Sequence, residues 1–256
     1  MQKGQSFKMS KQNIYDQPNV FNEYLDLRNN QVNANDLIEK PAILSLLPDL
    51  KGKSVLDLGC GHGRHCLTYL TLGAKRVVGV DISEKMINVA KSNIKEPKIE
   101  FINLAMENIE KLDMKFDVVC SSLAFSYVED FKALLSKIYQ LLNDNGYLIF
   151  SQDHPLSTCH SEDKGPRWEK DEKGNKISSR IFDYSIEGAR KLRWFNEDFV
   201  KYHRTFQTII NELIDNHFNI EKVLEPILSK EDMAKYPQYQ DNYHRPDFLL
   251  VKARRS

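Results

Sequence analysis

The 256-residue chain predicts an α/β fold, a mostly parallel sheet with helices on both faces, and three observations predict it. Short apolar runs alternate with amphipathic helical stretches, the pattern of a sheet covered on both sides. Two of those runs, ending at Asp57 and Asp81, close in an acid. Between them stand glycines at alternate positions, Gly59, Gly61 and Gly63, where a strand turns into a helix. The length suits a single domain, 1–256, with one sizeable core and a moderate insertion.

In chain order, the spacing predicts strands over about 53–58, 76–81, 98–102, 116–122 and 146–152. Helices are predicted over about 36–47, 61–72, 83–95 and 129–142. The third helix opens on a serine N-cap, Ser83, and turns Met86, Ile87 and Ala90 inward. The fourth buries Phe131, Leu134, Leu135, Ile138 and Leu142 and is expected to stop at Asn145-Gly146. Residues 1–35 read as a polar N-terminal arm carrying several aromatics. Residues 155–202 are charged and broken by Gly165-Pro166 and Lys173-Gly174-Asn175, too long for an ordinary connection, and are read as a cap over the site. A helix over about 204–216 and strands at 220–224 and 248–251 complete the pattern.

The glycine-studded turn lets a ligand approach the backbone where a Cβ would stand in the way. Asp81 follows Gly63 by 18 residues, about where a nucleotide-binding unit keeps the acid that holds ribose. The spacing Asp57-x-Gly59-x-Gly61-x-Gly63 does not fit G-x-G-x-x-G, which argues against a dinucleotide oxidoreductase.

At Val55–Gly63, Val78–Ser83 and Asn145–Phe150 the chain resembles the class I S-adenosylmethionine-dependent methyltransferases, a small-molecule type and a bacterial-type subgroup whose acceptor is unknown. The resemblance implies a Rossmann-like seven-stranded sheet of order 3-2-1-4-5-7-6. It also implies S-adenosylmethionine as cofactor, S-adenosylhomocysteine as product, and methyl transfer to an oxygen, nitrogen or sulfur. The donor's methionine end is expected over Gly59 and Gly61, beside Asp57, with the ribose on Asp81. Ile82 and Met86 follow the ribose acid. Ala105-Met106-Glu107 falls where relatives read adenine, with Ala105 in the usual aspartate position. Ser122 and Leu123, after the fourth strand, are expected along the methionine end. On the arm, Tyr24 and Arg28 share a helical face, and Arg28 suits the methionine carboxylate.

The acceptor side is less marked. His154, in Ser151-Gln152-Asp153-His154-Pro155, and His203, in the Tyr202-His203-Arg204-Thr205 stretch that begins the helix after the insertion, are candidate general bases. Tyr127 and Trp194 join them as candidate acceptor walls. The segment Ser121-Ser122-Leu123-Ala124 lacks both the Asn/Asp-Pro-Pro-aromatic motif of enzymes that methylate base amino groups and a Pro-Cys nucleophile.

With 36 basic and 36 acidic residues, the net charge is zero and the broad positive field of a nucleic-acid binder is absent. A small-molecule acceptor is therefore favoured over nucleic acid. The alternatives are an RNA or protein methyltransferase, or a module that binds cofactor without turnover. Cys60, Cys66, Cys120 and Cys159 show neither disulfide-framework nor zinc spacing, and no metal is expected. No run approaches the roughly 20 apolar residues of a membrane span and no secretion signal opens the chain, so a cytoplasmic location without membrane attachment is expected. Monomer and homodimer both fit.

Overall fold

The computed structural model describes residues 13–30, 33–161 and 164–256, the side chains of 18, 25 and 27–30 aside. Five strands, β1 (Ser54–Leu58), β2 (Arg76–Asp81), β3 (Ile99–Asn103), β4 (Phe116–Ser122) and β5 (Leu142–Asp153), pair in parallel. Two short ribbons follow, β6 (Trp168–Lys170) with β7 (Lys176–Ser179) and β8 (Gly188–Trp194) with β9 (Glu197–His203). The chain then returns to the main sheet through β10 (Phe218–Leu224) and β11 (Phe248–Arg255), where β11 runs antiparallel to both β5 and β10. The spatial order is β3-β2-β1-β4-β5-β11-β10, the seven-stranded arrangement expected.

Side chains alternate between the faces of these strands, and each face meets helices. Leu56, Leu58, Val78, Val80 and Val119 pack with α5 (Phe131–Leu141) and α7 (Phe206–Asp215). Val55, Val77, Val118 and Cys120 pack on the opposite side with α2 (Lys40–Leu46), α3 (Arg64–Thr71) and α4 (Glu84–Asn93). β1 is buried at every residue because both faces are covered. The Ser83 hydroxyl accepts from the Met86 N–H and fixes the start of α4.

Two local expectations change. The fifth-strand glycine does not end α5, which stops at Leu141. Leu142 is already extended, and Asn145 supplies the left-handed residue (φ +60°) of the turn feeding β5. The region predicted as a plain helix over 36–47 begins as a π-helical turn, Asn35–Glu39, before α2.

Residues 155–203 hold a short helix, α6 (Pro155–Thr158), and the two ribbons. At the tip of β8–β9, Phe195 and Asn196 both adopt positive φ, the two-residue reversal that suits a twisted ribbon. On the N-terminal side, a 3-10 turn, Ile14–Asp16, leads into α1 (Pro18–Asn30). Ile14 and Val20 form a separate small core with Leu192 and Phe199 of the ribbon, so arm and ribbon pack on each other. Between β10 and β11, α8 (Lys230–Lys235) and a 3-10 turn, Pro237–Tyr243, occupy a stretch for which the sequence predicted no element.

Candidate active site

The carboxyl ends of β1, β2, β4 and β5 open into one cavity of about 480 Å³, lined also by the arm and by β8–β9. That edge of an open α/β sheet is where ligands bind. The turn after β1 is shaped by left-handed glycines, and two of them serve different ends. A Cβ on Gly59 would stand 2.5 Å from the Ala124 Cβ, so Gly59 lets two protein segments touch. A Cβ on Gly61 would meet nothing within 4 Å, so the backbone there is bare toward open space.

Asp81 spans the loop. Its Oδ2 accepts from the Gly61 N–H at 2.8 Å and its Oδ1 from the Ser83 N–H at 2.8 Å. Each oxygen keeps acceptor capacity for a hydroxyl, since a carboxylate has about four lone-pair sites. Burial raises the Asp81 pKa, against the lowering effect of the two N–H bonds. Deeper in, Asp57 is 1% exposed and accepts from the Cys66 thiol at 3.3 Å. Burial pushes its pKa up to about 7. Burial also raises the Cys60 thiol to about 11 and lifts Cys66 and Cys120 further, so these thiols pack rather than react.

Of the residues expected to hold the donor, Tyr24, Asp57, Gly59, Gly61, Asp81, Ile82, Met86, Met106, Glu107, Ser122 and Leu123 line the cavity. Ala105 does not: it sits 8% exposed just ahead of the 3-10 turn Met106–Lys111. Arg28 lies on α1, but its side chain is outside the described residues. Leu123 holds φ +56°, with its N–H bonded to the Ser151 carbonyl at 3.0 Å and hydroxyl at 3.1 Å. A bulky residue in that conformation is strained, and here the strain sits in the lining of the site. The Ser122 hydroxyl donates to Glu39 at 2.9 Å.

Tyr127 and Trp194, expected on the acceptor side, also line the cavity. The Tyr127 and Tyr15 hydroxyls lie 3.2 Å apart, and the Tyr15 ring meets those of Tyr24 and Trp194 edge-on at 5.1 and 6.3 Å. Asp153 and Lys201 face each other across the cavity wall at 2.8 Å.

The two histidines expected as bases, His154 and His203, are not among the lining residues, and their ring nitrogens face other partners. His154 Nδ1 accepts from the Leu156 N–H at 3.1 Å, which leaves Nε2 to donate to Glu225 at 2.8 Å. His203 is fully buried, with Nε2 donating to the Tyr184 carbonyl and Nδ1 facing the Thr158 hydroxyl, each at 2.8 Å. Burial lowers the pKa of both rings. Each is a neutral imidazole spent on holding a loop. The cavity is lined instead by His62 and His65, with Arg64, Asn33 and Asn35. None of these five was expected from the sequence, although three of them lie among the glycines or directly after them. Among the described residues, no group of three or more His, Cys, Asp or Glu is placed to hold a metal, and no helix is long and apolar enough to cross a membrane.

Comparison with known proteins gives the same assignment from a separate direction. A family described as "Methyltransferase domain" matches residues 49–226. A Haemophilus influenzae protein of unassigned activity is 44% identical over 252 residues, covering 96% of this chain and 98% of that protein. An S-adenosylmethionine-dependent methyltransferase from Mesorhizobium loti superposes with a TM-score of 0.77 at 35% identity, over 85% of this chain and 97% of the other. A candidate enzyme of the same kind from Listeria monocytogenes gives 0.77 at 38% identity, over 85% and 96%.

Proposed function

The chain belongs to the class I S-adenosylmethionine-dependent methyltransferases, and from that premise we propose that its acceptor is a small molecule held between the donor loop and the β8–β9 ribbon. One observation carries the reading: the cavity is about 480 Å³, within the range of roughly 300–1,000 Å³ for small-ligand sites, and the donor must share it. Arm and ribbon pack on each other through Ile14, Val20, Leu192 and Phe199, and both contribute to the cavity lining, which supports a compact acceptor over a folded chain.

S-adenosylmethionine supplies a methyl group on a positively charged sulfur. The residues here fit it, because Asp81 presents acceptor lone pairs suited to ribose hydroxyls beside a bare Gly61 backbone. Met106 and Ile82 offer apolar contact for adenine, and Glu107 a polar acceptor next to it. Arg64, on the loop side and 3.6 Å from Asp36, is a cation suited to the methionine carboxylate. The protein's remaining work is to align the acceptor and exclude water. Tyr15, Tyr127 and Trp194 do this as walls, and the 155–202 segment acts as the cap.

The test is calorimetry with S-adenosylhomocysteine, followed by a screen of small metabolites with labelled donor. Binding of that nucleoside, and label passing to a compound small enough for the cavity, are the expected results. Label that passes only to RNA or protein overturns the small-acceptor reading.

A further inference from the structure

Charge in the cavity is unevenly distributed. At the donor end, the ends of β1 and β2 and the turn after β3 contribute Asp57, Asp81 and Glu107 against one cation, Arg64. The lining drawn from β5, the segment ahead of β6 and the β8–β9 ribbon carries Arg167, Arg193 and Lys201 against one acid, Asp153. Lys201 is more buried than Arg193. Its side chain is 17% exposed, it meets Asp153 at 2.8 Å, and its ammonium lies 5.4 Å from the centre of the Tyr127 ring. Arg193 is 63% exposed and leans toward Asp198 at 3.7 Å, which puts it at the rim.

A largely buried ion pair adds little to stability, because both charges lose water to form it. The aromatic ring beside Lys201 offers only a partial replacement for that water. A cation so placed on a cavity wall, with one carboxylate to balance it and further cations nearby, presents a positive potential to whatever enters. In a low-dielectric recess, that potential discriminates by charge more strongly than it would at an open surface.

We propose, resting on the methyl-transfer reading above, that the acceptor is a small organic anion with a flat apolar body. Its acidic group is received by Lys201 and Arg167, and its body lies against Tyr127 and Trp194. Both ends of the cavity favour this arrangement. Negative charge is matched to the basic end, and the donor facing it across the cavity is itself a cation, whereas the acids gathered at the donor end suit that cation. A cationic acceptor would meet Lys201, Arg167 and the donor, all of one sign.

The experiment is calorimetric titration of the protein saturated with S-adenosylhomocysteine, using benzoate, benzamide and benzylamine as probes of equal shape and different charge. Benzoate is expected to bind at least tenfold tighter than benzamide, with benzylamine weakest. Lys201→Met is expected to shrink the benzoate preference to within threefold, and Arg167→Gln to reduce it at least threefold, each with S-adenosylhomocysteine affinity retained as proof of an intact fold. Equal binding of benzoate and benzamide, failure of benzoate to bind, or a preference that survives both substitutions overturns the inference. The donor titration keeps the two readings apart: a wild-type protein that does not bind S-adenosylhomocysteine sinks the methyltransferase reading, whereas one that binds it without favouring the acid sinks only this one.

Discussion

At the scale of single residues, the glycines of the donor loop give separable outcomes. Gly59→Ala forces a Cβ to 2.5 Å from Ala124 and to 3.4 Å from the Met106 methyl at φ +73°, so the protein itself must shift. Gly61→Ala adds a Cβ to open space at φ +54° and carries only the backbone penalty, roughly 1–2 kcal/mol. Gly59→Ala is therefore expected to lower the melting temperature much more. Gly61→Ala is expected to melt near wild type but to bind S-adenosylhomocysteine at least tenfold more weakly, since the new methyl stands where the ligand approaches. Calorimetry on both variants checks the contrast. Asp57 yields a pH prediction. Its folded pKa of about 7 lies above the usual carboxylate value because of burial, so its stabilising influence is complete below about pH 4 and is lost as pH rises through 7. Asp57→Asn is thus expected to match wild type near pH 4 and to exceed it at pH 8 by several kcal/mol, because each pH step between the unfolded and folded values costs the wild type about 1.4 kcal/mol. Denaturant melts at the two pH values test the sign. His203→Ala deletes a fully buried ring and two hydrogen bonds, and is expected to cost about 2–4 kcal/mol. The pH dependence of turnover should stay unchanged, because the ring is absent from the cavity wall.

At the scale of elements, Arg204 explains how two distant segments are brought to the same wall. It follows β9 directly, is 8% exposed, and donates to the carbonyls of Phe125, Val128 and Glu129 around the 3-10 turn Phe125–Tyr127, with its guanidinium 5.0 Å from the Phe131 ring centre. Burial lowers its pKa to about 10, still a cation at neutral pH. The ribbon is thereby fixed to the turn that carries Tyr127. Lysine lacks the planar fork needed to reach three carbonyls. Arg204→Lys is expected to weaken probe binding on the acceptor side severalfold while S-adenosylhomocysteine affinity changes less than threefold, as titration of each ligand will show. Little of this was legible in the sequence. The Tyr-His-Arg-Thr stretch stood out for its histidine, whereas the working side chain is the arginine beside it, because a clamp across 75 or more residues leaves no local period. The parallel strands and the Asp57–Gly63 and Asp81–Ser83 turns were legible, since each depends on neighbours in the sequence: apolar runs, a serine cap, glycines at φ values other residues avoid. The same sequence proximity should have exposed Arg64 and His65. The left-handed backbone of Leu123 left no sign, because the hydroxyl and carbonyl of Ser151 that hold it come from a different strand.

At the scale of the whole molecule, the site is assembled from the two sides of the sheet order, and the N-terminal arm joins them. Asp16 Oδ1 accepts from the Ser83 hydroxyl at 2.5 Å and from the Lys85 N–H at 3.2 Å, at the positive end of α4. One residue earlier, Tyr15 reaches the Tyr127 hydroxyl, and Ile14 joins the core shared with Leu192 and Phe199. The turn Ile14–Asp16 therefore touches the ribose side through Asp16 and the acceptor wall through Tyr15. Because Ser83 also donates its N–H to Asp81, the acid expected to receive the ribose, ligand binding at Asp81 and docking of the arm depend on the same three-residue stretch. Two events that stabilise one conformation must reinforce each other equally in both directions. Occupying the donor site is then expected to slow amide exchange in residues 14–16 and at the start of α4. Asp16→Ala, which leaves the cavity-facing atoms of Asp81 in place, is expected to remove that added protection and to speed release of S-adenosylhomocysteine by about tenfold, with a smaller effect on its association rate. Hydrogen exchange with and without the nucleoside, together with stopped-flow release, measures both. Unaltered release from Asp16→Ala would mean that the arm rests on the site without holding it shut.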